Sequence, residues 1–202
     1  MFGSELIEDR VRNPKQKGPA IVPFITAGYP HKDDFLSLVQ ALADCADVIE
    51  IGVPFSDPMA DGVTIQRSSH LAIENGVRLR WILNQLKTIS IDTPIILMSY
   101  LNPLYVYGYT QLAQDSKDAG VDGFIVPDLP IEEGEELREI LKLAGLGMIQ
   151  LVTPATPEDR IKKIAAKSSG FLYAVTVKGV TGGNDGLSKE VTGYLEAVKA
   201  LT

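Results

Sequence analysis

The chain alternates short apolar runs with longer stretches in which apolar positions recur at helical spacing. The runs Ala20–Ala27, Val48–Gly52, Ile95–Tyr100, Gly123–Val126, Met148–Val152 and Phe171–Val177 are apolar on both faces, as expected of strands covered on two sides. Between and after them, Asp33–Ala43, Thr64–Asn75, Leu79–Ile89, Tyr109–Ala119, Glu132–Ala144, Glu158–Ala166 and Lys189–Leu201 carry helical patterns. Ser4–Val11 predicts a further short helix that covers one end of a barrel, followed by a polar connection, Asn13–Lys17. Strands alternating with helices signal βαβ units and a parallel sheet, here about six units in one domain spanning residues 1–202. Gly or Pro punctuates the strand-to-helix loops (Gly28, Pro54, Pro103, Pro130, Pro154, Gly179), which suits a (β/α) barrel better than an open sheet. No GxGxxG follows the first strand, which argues against a dinucleotide-binding fold. A closed barrel takes eight units and about 250 residues, so two units are expected to be missing, leaving open edges and exposed core.

One strand breaks its own pattern. Glu50 sits among Val48, Ile49 and Ile51, where an ionised carboxylate is costly unless it is paired or protonated. Strand alternation puts Glu50 on the face of Val48 and Gly52, and Ile49, Ile51 and Val53 on the other. With both faces covered, Glu50 lies in a dry interior near the C-terminal end of its strand, where barrels of this kind place their chemistry. Its pKa is then expected to rise towards neutrality, which suits a residue that must both give and take a proton. The alternative is a structural Glu bonded to a neighbouring strand. The Gly-, Pro- and Asp-rich loop that follows carries Asp57 and Asp61. Asp57, in Ser-Asp-Pro, reads as a turn residue. Asp61 is either a functional carboxylate or the cap of the helix ahead of it.

Composition narrows the classes further. The 202 residues are 45% hydrophobic and 22% charged, as in an ordinary globular chain, and the net charge of -7 with a pI near 4.9 argues against nucleic acid or an anionic membrane as partner. A single cysteine, Cys45, excludes an internal disulfide framework, and the opening MFGSELIEDR lacks the apolar segment of a signal peptide, so a cytoplasmic location is expected. Cys45 reads as a packing residue, since no histidine lies near it in sequence. His31 and His70 fall in no metal-ligand spacing and beside no nucleophile motif, so neither a metal site nor a serine-type triad is expected. His70 reads as solvated.

The stretches VPFITAGYP, IEIGVPFSDPMADGVTIQ, LMSYLNPLYVYG, GVDGFIVPDLPIEE and GVTGGN, in this order, resemble the alpha chain of tryptophan synthase from about Ala20 to the last residue. The second stretch is the most specific, and the others fix the register. The resemblance implies an α/β fold, a (β/α)8 TIM barrel here lacking the last two βα units, that cleaves indole-3-glycerol phosphate by a retro-aldol reaction into indole and glyceraldehyde 3-phosphate. It also implies a beta chain that takes up the indole within an alpha2beta2 heterotetramer. No cofactor is expected in this chain; pyridoxal phosphate would belong to the beta chain.

By position in the motif, Glu50 and Asp61 correspond to the family's two catalytic carboxylates. Glu50 would deliver a proton to indole C3 and remove one from the adjacent hydroxyl, while Asp61 would accept the ring N–H and stabilise the charge developing there. Tyr173 joins them as a catalytic candidate, its hydroxyl expected to find Glu50 or Asp61 as partner. Phe24, Tyr100 and Ile125 correspond to walls of the indole pocket, a role that plain barrel-core packing would mimic. Thr181 and Gly182 in GVTGG correspond to the phosphate-side loop, where bare backbone N–H groups can approach an anion; the same residues also read as a flexible turn. Asp128, in VPDLP, corresponds to a residue near the beta-chain interface.

Two positions depart from the family pattern. Val63 stands where a proline is common, which would loosen the loop carrying Asp61, and Lys178 stands where a small or hydroxyl residue is expected. A lysine at the end of the sixth strand admits a lesser alternative, a Schiff-base aldolase, although indole-3-glycerol phosphate has no carbonyl at the bond to be broken. A further alternative is a truncated, weakly active or inactive binding subunit for a beta chain, against which the presence of both carboxylates argues. The chain by itself is expected to turn over substrate poorly.

Overall fold

In the computed structural model, which describes residues 3–176 and 189–202, six parallel strands lie side by side in the order of the sequence. They are β1 (Phe24–Thr26), β2 (Ile49–Gly52), β3 (Ile95–Met98), β4 (Gly123–Ile125), β5 (Gly147–Val152) and β6 (Leu172–Ala174). Among the described residues, β1 and β6 are the sheet's edges. The helices are α1 (Gly3–Arg12), α2 (Phe35–Ala43), α3 (Val63–Glu74), α4 (Leu79–Leu86), α5 (Leu101–Tyr107), α6 (Tyr109–Asp118), α7 (Glu135–Ala144), α8 (Glu158–Ala165) and α9 (Lys189–Leu201).

The two faces of each strand serve different cores. Ile49, Ile51, Ile95, Leu97, Phe124 and Met148 join the larger cluster, together with helical residues such as Phe35, Val39, Ile82, Leu112 and Leu141. Val48, Ile96, Ile125 and Ile149 form a second cluster with Ile7 of α1, which fills the concave side of the sheet. Each fully buried aliphatic side chain contributes about 1.5–3 kcal/mol, so a parallel strand must be apolar twice over. That requirement is what made the runs legible.

α1 covers the lower end of this interior, as its pattern predicted. Its one buried residue, Ile7, is fully enclosed, and Gly3 N–H donates to Gly145 O at 2.8 Å. The helix can approach because its seat has no side chains: a Cβ on Gly170 would stand 2.8 Å from Ile7 Cγ2, and one on Gly123 3.0 Å from Ile7 Cδ1.

Three details differ from expectation. β1 covers only three residues of the run Ala20–Ala27, because Pro23 has no N–H to give to a ladder; the run contributes carbonyls instead, with Glu50 N–H donating to Pro23 O at 2.9 Å and Asp47 N–H to Ile21 O at 2.9 Å. α5 occupies residues read as a loop because of Pro103, yet proline is tolerated in a first helical turn, where N–H groups have no intrahelical partner. Cys45 is exposed, since α2 ends at Ala43 and the residue falls in the turn beyond it.

Candidate active site

β2 fixes Glu50 between two apolar neighbours, its Cα in register with Phe24 of β1 and Ile96 of β3. The residue is 3% exposed. Burial pushes its pKa up from 4.5 to about 7, because a carboxylate without water or donors is disfavoured. Among the described residues no donor reaches the carboxyl group, so the structural alternative, a Glu bonded across the sheet, is not what the fold contains. Two residues further on the same face, Gly52 leaves space that the ring of Phe24 fills: a Cβ there would lie 2.5 Å from Phe24 Cζ.

The loop between β2 and α3 carries Asp61. It does not cap the helix: Gly62, in an extended conformation, holds the cap position, and no side chain bonds to the helix end. Instead Asp61 Oδ2 accepts a hydrogen bond from the Tyr100 hydroxyl at 3.1 Å. The same hydroxyl accepts from Ala60 N–H at 2.9 Å, and Phe55 stacks on the Tyr100 ring with centroids 5.0 Å apart. Gln66 Nε2 closes the turn by donating to Asp61 O at 2.9 Å. Burial raises the Asp61 pKa while the Tyr100 bond draws it down, and burial, above all, pushes the Tyr100 phenol up to about 12. Tyr100 therefore stays a neutral donor that pins both the loop and its carboxylate. Asp57 is exposed and bonded to Ser56 Oγ at 2.6 Å, as a turn residue should be.

Phe24, Tyr100 and Asp61 come together around one small cavity of about 20 Å³, which Thr26, Gly52, Ile65, Ser69, Met98 and Ser99 also border. That volume suits a single water. An indole ring does not fit that volume. A much larger hollow, about 800 Å³, lies between α7 and the turn after α8 and contains neither carboxylate; size there does not coincide with chemistry. The sequence reading missed Thr26, Ser69 and Ser99. Thr26, a hydroxyl inside an apolar run, was the available signal, and its Oγ1 lies 2.7 Å from Ser68 Oγ.

Tyr173 lies on β6, half-buried, its ring tilted against Phe171 at 6.4 Å. Burial raises its pKa, and the nearby charge of Glu50 raises it further. The expected hydrogen bond from its hydroxyl to Glu50 or Asp61 is not among the described contacts; the hydroxyl that reaches a carboxylate is that of Tyr100. Ile125 is fully buried in the interior cluster. Asp128 is exposed, and its Oδ1 accepts from Leu101 N–H at 2.9 Å, tying the segment after β4 to the first turn of α5. Val63 opens α3 and is 81% exposed. Thr181, Gly182 and Lys178 lie outside the described residues.

Among the described residues no group of three or more His, Cys, Asp or Glu is arranged to hold a metal ion. His70 is exposed, 3.3 Å from Glu74. No described helix is long and apolar enough to cross a membrane.

Comparison with known proteins bears on this arrangement. A family model described as tryptophan synthase alpha chain matches residues 11–202. The tryptophan synthase alpha chain of Nitratidesulfovibrio vulgaris (strain DP4) is 45% identical over 193 residues, covering 94% of this chain and 75% of the relative. The crystal structure of tryptophan synthase subunit alpha from Legionella pneumophila str. Paris superposes with a TM-score of 0.87 at 34% identity, over 100% of this chain and 75% of that one. A chain from the tryptophan synthase a2b2 complex of the hyperthermophile Pyrococcus furiosus gives 0.83 at 39% identity, over 90% and 74%.

Proposed function

The chain belongs to the tryptophan synthase alpha chain family, lyases acting on indole-3-glycerol phosphate, and from that premise we propose that Glu50 and Asp61 carry out the retro-aldol cleavage. The observation that supports this most strongly is the buried carboxyl of Glu50, which no donor among the described residues reaches and whose pKa, raised by burial to about 7, lets it serve as acid and base in one cycle.

Glu50 in its acid form gives its proton to indole C3, and the ring's electron pair moves to C3, leaving positive charge at the ring nitrogen. The bond from C3 to the side-chain carbon then breaks, and its electrons restore the indole. The hydroxyl on that carbon loses its proton to the Glu50 carboxylate as the C=O of glyceraldehyde 3-phosphate forms. One proton enters and one leaves, so Glu50 returns to its starting form. Asp61 accepts the ring N–H through Oδ1, which no described donor occupies while Tyr100 holds Oδ2. A fixed anion aimed at developing charge is worth about 10²–10³ in rate.

Phe24, Tyr100 and Ile125 are assigned to the walls of the indole site, Tyr173 to the surroundings of Glu50, and Thr181 and Gly182 to the phosphate, the last two on the GVTGG motif alone. The loop carrying Asp61 opens to admit the ring. Indole passes to a beta chain in an alpha2beta2 assembly, a reading supported by the relative solved as an a2b2 complex; pyridoxal phosphate is assigned to that beta chain, and the location to the cytoplasm. A binding-only role is disfavoured, since it gives no reason for a buried Glu50.

The test is indole release from indole-3-glycerol phosphate with excess beta chain, beside a Glu50→Gln control. Release that the substitution abolishes is expected. Equal release by both proteins would overturn the assignment.

A further inference from the structure

We propose that Ile7, on the helix that closes the lower end of the sheet's interior, is a positioning residue for Glu50: it seals the space beneath the carboxyl group against water, so that the group can act as an acid. The inference rests on the reading of Glu50 as proton donor and acceptor.

The connection runs through packed side chains. Ile7 is fully buried and belongs to one cluster with Val48, Ile96, Ile125 and Ile149. Val48 precedes Glu50 by two positions on the same strand face, and Ile96 is the Cα partner of Glu50 across the β2–β3 ladder. Glu50 thus stands directly above a floor whose lowest member comes from α1. The seat for Ile7 is cut into the strands themselves, since side chains at Gly123 or Gly170 would collide with it.

Among the described residues, those the fold turns towards Glu50 from below and from the sides are apolar, apart from one tyrosine. β1 supplies Phe24, β3 Ile96 and Met98, β4 Gly123 and Ile125, β5 Ile149 and Leu151, and α1 Ile7 and Val11. Among the described residues the titratable neighbours are Tyr173 on β6, which feels the Glu50 charge, and Asp61 with Tyr100 in the loops above. Among the described residues no cation offsets the carboxylate, and burial is what raises its pKa. A polar atom at position 7 would give water a partner in the floor, and hydration of the floor would favour the ionised form.

The experiment labels the full chain with [δ-13C]glutamate and follows the Glu50 resonance, assigned by its loss in Glu50→Gln, through a pH titration of the native, Ile7→Ser and Ile7→Leu proteins. Circular dichroism and a cooperative unfolding transition check that each is folded. Ile7→Ser is expected to lower the midpoint by about one unit, with Ile7→Leu restoring it. The alkaline limb of the kcat profile should move by the same amount, so that turnover at high pH falls about 10-fold while turnover at low pH is retained. A folded Ile7→Ser protein with an unmoved midpoint overturns the inference. Ile7→Thr, which keeps the branched shape and adds a hydroxyl, replaces it under the same criterion if Ile7→Ser does not fold. The two readings fail separately. A midpoint that follows Ile7 while Glu50→Gln remains active upholds the floor's effect and removes Glu50 from the chemistry; a fixed midpoint with inactive Glu50→Gln does the reverse.

Discussion

Replacing Glu50 by Gln should make the protein inactive and, above neutral pH, more stable. Folding moves the Glu50 pKa from 4.5 to about 7, so between those values the folded chain holds a proton that the unfolded chain has released. Stability therefore falls as pH rises through this window, since the slope follows protons bound unfolded minus folded. The contribution is intact below pH 4.5 and gone above pH 7. At 1.36 kcal/mol per unit, the ionised carboxylate costs the native state roughly 3 kcal/mol at pH 8. Gln keeps the shape and a comparable polarity without ionising, so the two proteins should differ little at pH 4.5 and by roughly 3 kcal/mol at pH 8, or about 6–12 °C in melting temperature for a chain of this length. Asp122, whose pKa burial raises to about 6, titrates in the same window, but it is present in both proteins and cancels. The assay is reversible urea unfolding of both at pH 4.5, 6 and 8. A stability gap that does not change with pH, or a Gln variant less stable at pH 8, would refute the account of Glu50 as a desolvated carboxyl.

Asp61→Asn keeps the size and the bond to Tyr100 but removes the charge, and should lower kcat by about 10²–10³ with unfolding unchanged; a loss of helix content by circular dichroism would revive the capping role. Tyr100→Phe removes the donor to Asp61 and the acceptor for Ala60 N–H, and should cost about 1–3 kcal/mol of stability, read by urea unfolding, with kcat/KM falling as the loop loses its anchor. Without that donor the Asp61 pKa should rise further, since the Tyr100 bond holds it down, and the acid limb of the rate profile should move to higher pH. Gly52→Ala would place a methyl 2.5 Å from Phe24 Cζ, costing about 1–3 kcal/mol, and adding Phe24→Leu should recover most of the stability in a double-mutant cycle.

The fold could be read from the sequence because each strand is buried twice, leaving runs such as Ile95–Met98 with no polar face at all. Strand length was less legible: Pro23 shortens β1 through a missing N–H, an effect visible only once the neighbouring strand is in place. α5 was hidden by Pro103, and its first turn is secured by Asp128, 27 positions away. At the site, Glu50 announced itself by contrast with its neighbours, and its alternation with Val48 and Gly52 matches the observed clusters. The pairing of hydroxyl with carboxylate was not legible. Tyr173 was expected to make it and Tyr100 does, because which phenol reaches Asp61 depends on how the loop after β2 folds back over β3. The function of Gly52 was equally hidden, since an absent side chain has meaning only beside the ring that uses its space.

The seat of α1 bears on how the chain is made. Translation delivers the helix well before the glycines that receive it, since Gly123 and Gly170 lie 116 and 163 positions after Ile7. At about 5–20 residues per second, roughly 10–30 s separate the synthesis of Ile7 from that of Gly170. A ten-residue helix is marginal in water on its own, so α1 waits largely unstructured with Ile7 in solvent. Every nascent chain thus passes through a stage in which the sheet's interior is open from below, and completion of β6 is the moment at which a helix made long before it can settle.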